Sequence, residues 1–184
     1  FSPKVGEGAE YQITSKQGNM DFEFAVVGKD SFEGQDGFWQ EVRMKGGKAD
    51  GMVMKQLLVT GGENPGIKRM IMQPPGQEAM EMPMSMMGGM MGKQATQQAG
   101  AKTAADMGEM VGTESVTVPA GTFTCQHYKS KSADGGDVWL TSSVSPYGLV
   151  KAVTKDSTIV LQKTLSGQTS QIKGEPKKME MPHF

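Results

Sequence analysis

The sequence has a single cysteine, Cys125, and no run of apolar residues long enough to form a membrane-spanning helix. One thiol cannot form a disulfide within the chain, so disulfide bonds do not hold this fold together. A transmembrane helix needs roughly 18 or more consecutive apolar residues. We therefore predict no transmembrane segment. The 184 residues are enough for one domain with its own hydrophobic core.

An excess of positive charge is also missing. Nineteen Lys and Arg residues stand against twenty Asp and Glu residues, which gives a formal net charge of -1. Proteins that bind nucleic acid neutralise its phosphates with a basic patch or stripe, and the basic residues here are scattered. The sequence therefore predicts no nucleic acid partner.

Motifs of the common catalytic classes are absent as well. The chain contains no Gly-x-Ser-x-Gly, no His-Glu-x-x-His and no glycine-rich phosphate loop followed by Lys and Ser or Thr. Cys125 and the two histidines, His127 and His183, lack the spacing of a known nucleophile site. Cys125 and His127 would share one face of a strand, but two ligands are half of a tetrahedral metal site. We predict a protein that is not an enzyme, with no catalytic residues, no metal site at Cys and His, and no cofactor.

Glycine and methionine, by contrast, are abundant, with 25 and 17 residues. Turns rich in glycine separate short segments in which apolar and polar residues alternate, which is the pattern of antiparallel strands. The predicted strands are residues 9–16, 20–28, 38–44, 52–60, 67–73, 112–118, 122–130, 137–142, 147–154 and 158–165. No helix of crossover length separates the first five, so parallel βαβ units are not predicted. The predicted fold class is mainly β: a strongly curved antiparallel sheet, a half-barrel of about ten strands, with a helix or loop crossover in the middle.

Two segments depart from the strand pattern. Residues 74–110 contain prolines and a Gly-Gly pair that discourage strands, followed by an Ala- and Gln-rich stretch that could form a loose helix. We interpret them as a Met-rich crossover or lid. Residues 167–184 are interpreted as a polar tail. The chain 1–184 is then a single β-rich domain.

Motifs in the second half of the chain resemble a known group of bacterial envelope domains. Residues 114–125 (ESVTVPAGTFTC) form a predicted hairpin with PAGTF at its turn. A tryptophan-bearing strand at residues 138–140 (VWL) and the segment 146–151 (PYGLVK) follow it. This arrangement resembles envelope domains of unknown function that are similar to the lipoprotein-localisation carrier (LolA-like) superfamily. The resemblance covers residues 110–165 well and residues 9–73 by strand rhythm alone.

The resemblance implies a fold, a place in the cell and a kind of ligand. Members of that superfamily are half-barrels of antiparallel strands with helices lying in the concave face, and they imply export and a hydrophobic groove. The chain starts at Phe1 without an initiator methionine. We therefore expect a periplasmic or otherwise exported protein whose signal peptide has been removed.

Methionines are concentrated in one part of the chain. Nine of the seventeen lie between Met70 and Met91. Methionine is flexible and adaptable, so such a segment could cover a hydrophobic groove as a lid. Thioethers also select Cu(I), so the same segment could bind a soft metal. The predicted ligand-binding residues are these methionines and the two tryptophans: Trp39, Met80, Met82, Met84, Met86, Met87 and Trp139.

Three functions remain open at this point. The first is a non-catalytic cell-envelope binding or carrier domain for a lipid, a lipoprotein or another apolar ligand. The second is a Cu(I)-binding protein that uses the Met-rich segment. The third is a structural envelope module that meets another protein through a sheet edge.

The alternation also predicts a core and one backbone conformation. Residues predicted to be buried are Phe22, Phe24, Val26, Leu58, Phe123, Trp139, Leu149 and Leu161. Gly121 follows Pro119-Ala120 in a predicted turn and should adopt a positive φ.

Overall fold

The computed structural model describes residues 2–62, 65–83, 108–131 and 135–179, and most of them lie in one twelve-stranded sheet. The strands are β1 (Gly8–Ser15), β2 (Gly18–Phe32), β3 (Gln35–Lys45), β4 (Val53–Val59), β5 (Gly66–Gln73), β6 (Met80–Met82), β7 (Glu109–Val118), β8 (Gly121–Lys129), β9 (Asp137–Leu140), β10 (Leu149–Val153), β11 (Ser157–Leu165) and β12 (Lys177–Lys178). In the described part of the chain the helical structure is one short 3₁₀ turn, Gly47–Ala49. No helix among the described residues is long and apolar enough to cross a membrane.

The sheet consists of two meanders that meet in its middle. Its strand order is β12-β6-β5-β4-β3-β2-β1-β11-β10-β9-β8-β7. Strands β1 to β6 run outward in one direction and β7 to β11 in the other, and β1 pairs with β11 in antiparallel fashion at the junction. Among the described strands, only the two-residue pairing of β12 with β6 is parallel. Within the described residues the sheet therefore keeps two outer strands, β12 and β7, and is not closed into a barrel.

Cross-strand pairing separates an apolar face of β1 to β3 from a charged one. Tyr11 lies opposite Phe22, and Phe24 lies opposite Val42, on a face that we call the Phe22 face. Glu23 lies opposite Arg43 on the other face, the Arg43 face. Directly opposite residues in a sheet point to the same side, so the alternation in the sequence becomes two chemically distinct surfaces.

The larger core cluster is built around Tyr11 and Phe22. Its buried members are Ala9, Tyr11, Phe22, Val118, Cys125, Val144, Val150 and Leu161. The loop of residues 141–148 supplies Val144 and also Tyr147, whose ring packs edge-on against Phe24 at 5.6 Å. The Tyr147 hydroxyl donates to Gln40 Oε1 at 2.5 Å, and burial raises the pKa of Tyr147 to about 12. This loop therefore covers the middle of the Phe22 face.

The chain after β11 packs along the Arg43 face. We call residues 166–179 the C-terminal segment. Ile172 from this segment is buried in a second cluster with Trp39, Val53, Leu57, Ile71 and Ala79. The segment ends in β12, which adds to the edge of the sheet beside β6.

A buried polar network holds the C-terminal segment in place. Arg43 Nε donates to Glu41 at 2.9 Å, and Arg43 Nη2 donates to the carbonyl oxygen of Thr169 at 2.7 Å. Glu41, which is fully buried, accepts from Ser170 Oγ at 2.6 Å and from the Gln171 backbone N–H at 2.8 Å. Buried charges are tolerated only when they are paired and hydrogen-bonded, and here the partners come from two distant parts of the chain.

Most of the strand predictions are confirmed. Each of the ten predicted strands overlaps an observed one, and the mainly antiparallel sheet is as expected. The predicted helix in the crossover is not supported: the described residues of 74–110 contain β6 and the start of β7, and residues 84–107 lie outside the described residues. The half-barrel curvature stays a prediction.

The predicted core is half confirmed. Phe22, Val26, Leu58 and Leu161 are buried. The other four, Phe24, Phe123, Trp139 and Leu149, are half-buried instead, although all of them pack against the larger cluster. Gly121 has a φ of 134°, so its positive φ is confirmed.

Candidate functional site

Methionines of three adjacent strands meet on one face of the sheet. Met54 of β4 lies opposite Met72 of β5, which lies opposite Met80 of β6. In the neighbouring row, Met70 lies opposite Met82. Directly opposite residues have Cβ atoms about 5 Å apart and share a face. These five residues form a continuous thioether surface that we call the methionine face.

The methionine face continues the Phe22 face toward the edge of the sheet. Met54 lies opposite Val42, whose other neighbour is Phe24. Met70 and Met82 are buried and form their own small cluster, whereas the row of Met54, Met72 and Met80 is half-buried. The result is an apolar surface that is partly accessible and is made of flexible side chains.

Two glutamines separate the methionine face from the loop of residues 141–148. Gln40 lies opposite Gln56, which lies opposite Met70. The Gln56 amide donates to Gln40 Oε1 at 3.3 Å, the oxygen that also accepts from Tyr147. Gln40 Nε2 is buried and has no acceptor among the described residues. A buried amide donor therefore lies unsatisfied between the apolar core and the methionine face, at a cost typical of a lost hydrogen bond.

Of the predicted ligand-binding residues, the structure brings Met80 and Met82 together on the methionine face. Met84, Met86 and Met87 lie outside the described residues. Trp39 lies on the Arg43 face, where it is buried against Ile172 and its ring is flanked by Lys55 and Arg69. The structure therefore places Trp39 on the opposite side of the sheet from Met80 and Met82.

Trp139 lies far from the methionine face along the sheet and belongs to a separate cluster. Its strand, β9, is separated from β4 by five intervening strands. The Trp139 ring stacks on His127 with centroids 4.4 Å apart and has Lys151 on it at 5.2 Å. The Trp139 indole N–H donates to Glu114, and His127 lies within 3.0 Å of Glu114 and 2.7 Å of Asp137. Both faces of the indole are thus in contact with side chains of the chain itself.

Cys125 is a buried member of the core. Burial raises the pKa of the Cys125 thiol, and the charge of Glu114 adds to this effect. A thiol with a raised pKa is a poor nucleophile at neutral pH. In the described part of the chain, no group of three or more His, Cys, Asp or Glu residues could hold a metal ion.

A cleft of about 370 Å³ lies at the corner of the sheet where β5, β6 and β12 meet. We call it the corner cleft; its lining residues are Phe32, Lys68, Arg69, Glu81, Met82, Pro83, Lys178 and Met179. Arg69 forms a bidentate ion pair with Glu81, at 2.7 and 3.1 Å. Met82 also belongs to the methionine face, but Phe32, Arg69 and Glu81 lie on the Arg43 face, so the cleft opens mainly on the side of the sheet opposite the methionine face.

A second cleft, of about 460 Å³, lies between the β7–β9 end of the sheet and the loop of residues 141–148. Its lining is mostly hydroxyl and amide groups, including Thr113, Thr124 and Gln126. It holds no side chain that is charged at neutral pH. The two ends of the sheet therefore offer clefts of different chemistry.

Sequence reasoning missed Met54, Met70 and Met72 as members of the site. Their signal was present as methionines two apart, at 52 and 54 and at 70 and 72, because residues two apart on a strand share a face. The register between β4, β5 and β6 decides whether those faces coincide. That register becomes visible only in the structure.

Comparisons with known proteins identify no family. No protein-family model and no curated protein matches this chain. Similar solved structures include a candidate lipoprotein from Parabacteroides distasonis and a candidate exported protein with a YmcC-like fold from Bacteroides fragilis. Each is 14% identical, with a TM-score of 0.44, over 89% of this chain and 97% of the other.

A DUF1329 family protein from Desulfovibrio piger is 10% identical, with a TM-score of 0.40, over 89% of this chain and 86% of the other. At these scores the similarity supports no conclusion about function. The resemblance to the lipoprotein-localisation carrier superfamily stays a prediction.

Proposed function

We propose that this protein is a non-catalytic binding or carrier domain of the cell envelope whose methionine face contacts a lipid, a lipoprotein or another apolar ligand. The observation that carries the proposal is the pair of cross-strand rows, Met54–Met72–Met80 and Met70–Met82. The exported location follows from the sequence resemblance at residues 110–165.

The physical reason is the adaptability of methionine. Its unbranched side chain has three rotatable bonds and a polarisable sulfur, so a surface of methionines can repack around ligands of different shape. Aliphatic β-branched residues, which strands ordinarily favour, are much stiffer. Five methionines in three adjacent strands therefore suit a surface that binds apolar groups without demanding one geometry.

The same five sulfurs support a second candidate function, which is binding of Cu(I). Thioethers are soft ligands that favour Cu(I) over hard cations, and cross-strand neighbours are close enough for several sulfurs to reach one ion. The apolar surface and the metal site make opposite demands on the side chains. Binding of an apolar ligand depends on the volume and apolar surface of the side chains, whereas binding of Cu(I) depends on their sulfur atoms.

Replacing Met54, Met72 and Met80 by Leu separates the two functions. Leu has a similar volume and is equally apolar, so binding of an uncharged, environment-sensitive dye should persist within about threefold in dissociation constant. The matched variant with Ser at the same three positions should lose dye binding. We also expect that the unsubstituted protein takes up no stoichiometric Cu(I) in competition with a chromogenic chelator.

Two results would contradict the proposal. One is saturable binding of one or more Cu(I) ions per chain that the Leu substitutions abolish, which would promote the metal function. The other is dye binding that is the same in the Ser and Leu variants, which would show that the methionine face does not contact the dye. Native mass spectrometry of the protein purified from its own host would then identify any ligand that it carries.

A further inference from the structure

The corner cleft combines an apolar floor with two lysines that form no ion pair with a carboxylate of the described residues. Phe32, Met82, Pro83 and Met179 supply apolar atoms, and Met179 is one of the exposed large hydrophobic residues of the described chain. The ionisable residues are three cations, Lys68, Arg69 and Lys178, and one carboxylate, Glu81. The lining therefore carries more positive than negative charge.

Arg69 is paired with Glu81, the one carboxylate in the lining of the cleft. It forms a bidentate pair with Glu81, and the fields of Asp30 and Glu175 also act on Arg69. The nearby Glu78 pairs with Lys177. Among the described residues, Lys68 and Lys178 form no ion pair with a carboxylate.

The two lysines are placed at the border between the apolar floor and solvent. The Lys68 ammonium lies 6.0 Å from the centroid of the Phe32 ring, so the aliphatic part of the Lys68 side chain lies near the apolar floor. Lys178 lies opposite Glu81 in the parallel β12–β6 pairing and helps to lower the pKa of that carboxyl, although Arg69 has the larger effect. Long cationic side chains commonly cover apolar surface with their stems and keep the charge in water. A ligand that fits this arrangement has an apolar body and an anionic end.

We propose that the corner cleft binds a long-chain carboxylate of the fatty-acid class, with the chain against Phe32, Met82 and Met179 and the carboxylate beside Lys68 and Lys178. This proposal rests on the proposed function and names the ligand class for it. A volume of about 370 Å³ is near the lower end of small-molecule sites, which suits one acyl chain better than two.

The test varies the charge on the ligand and on the protein together. The probe is dansylated undecanoic acid, and its uncharged counterpart is the methyl ester of the same molecule. The double variant Lys68→Gln/Lys178→Gln removes both unpaired cations and keeps side chains of similar length. The control is Lys129→Gln/Lys155→Gln, which removes two exposed lysines elsewhere on the sheet.

We expect the acid to bind the unsubstituted protein and the control, and to bind the Lys68/Lys178 variant about tenfold more weakly. The ester should bind all three proteins equally and more weakly than the acid binds the unsubstituted protein. The affinity for the acid should fall with added salt, because Lys178 is exposed and Lys68 is only half-buried, whereas that for the ester should not. The variant Met179→Ser should weaken the binding of both probes.

Equal affinity of the acid for the unsubstituted protein and the Lys68/Lys178 variant would overturn the proposal, as would equal affinity of acid and ester. Failure of both probes to bind the unsubstituted protein would overturn it as well. The proposed function is judged separately, by the uncharged dye and the Met54/Met72/Met80 variants. An apolar ligand without a preferred charge would leave that function standing.

Discussion

Arg43 is the residue on which the buried polar network depends. It is 5% exposed and contacts Glu41, Glu23, Gln168 and the carbonyl oxygen of Thr169. One guanidinium thereby joins two strands to the C-terminal segment. A planar group with five donors suits this position because a lysine ammonium cannot reach several acceptors in one plane.

We expect Arg43→Met to destabilise the protein by about 3–5 kcal/mol, because it leaves the fully buried carboxylate of Glu41 without its cationic partner. Arg43→Lys should fall between this variant and the unsubstituted protein. The measurement is the urea midpoint and slope of each protein. Lys16→Met serves as the control, since the ion pair of Lys16 with Asp156 is exposed and should contribute nothing measurable. A midpoint for Arg43→Met equal to that of the control would show that the network does not stabilise the fold.

At the scale of elements, the ion pair between Arg69 of β5 and Glu81 of β6 holds a very short strand. Strand β6 has three residues and lies near the edge of the sheet. Hydrogen bonds from Arg69 hold the pKa of the Glu81 carboxyl below its usual range, although partial burial opposes them. Burial also pushes the pKa of Glu23 upward, but hydrogen bonds from Lys45 and Arg43 and the charge of Lys45 outweigh it, so the net shift is downward.

These shifts predict acid sensitivity with a defined sign. A carboxyl whose pKa is lower in the folded state contributes stability above its unfolded pKa, about 4.3 for Glu, and loses it as the pH falls through the folded pKa. The urea midpoint should therefore decrease on acidification below about pH 4. Glu81→Gln should lose less on acidification than the unsubstituted protein, whereas Glu33→Gln, at an exposed turn, should follow the unsubstituted protein. Identical acid profiles for all three proteins would contradict this assignment to Glu81.

The strands that sequence patterns predicted are those whose side chains alternate over many residues. β2 and β3 are examples, since Phe22 and Phe24 alternate with acidic residues and Gly34 and Gly37 accompany the turn between the strands. β6 and β12 could not be predicted, because three and two residues carry no periodicity. They exist because the chain is brought to the sheet edge by contacts elsewhere, such as those of Ile172. Tertiary contacts create such strands where local preference does not.

The sequence predicted which residue type forms the candidate site, but it did not predict where in the fold the site lies. The sequence drew attention to methionine through its abundance, and the structure places Met80 and Met82 on one face of β6, while their role in binding stays a prediction. Trp39 was assigned to the same site, but the structure places it on the Arg43 face because Glu41 and Arg43, two and four residues further on, share its side of β3. A strand buried on both faces gives no signal for which side holds the ligand.

At the scale of the whole molecule, the sheet order separates neighbours in sequence and joins the ends of the chain. β6 and β7 are consecutive among the described strands, yet β7 is the outer strand at one end of the sheet and β6 is next to the outer strand at the other end. β1 lies near the beginning of the chain and β11 in its last third. The two strands form eight residue pairs, from Gly8 with Leu165 to Ser15 with Ser157. Pairing between distant parts of a chain is slow to form, because the entropy of closing the loop must be overcome first.

This arrangement makes the protein a candidate for fragment complementation. Every strand of the first meander lies before residue 84 and every strand of the second after residue 107, so no described strand is divided by a break between them. The two halves meet along β1 and β11, through the Arg43 network and through β12 on β6.

Two separately encoded chains, 1–83 and 84–184, should therefore assemble when they are produced together, and a tag on one should retain the other. The Arg43→Met substitution in the first chain should weaken that retention, because it removes contacts that cross between the halves. If the halves do not associate, the covalent link between β6 and β7 is needed for assembly. If they do, the contacts between the two halves are sufficient to rebuild the sheet from its parts without the covalent link.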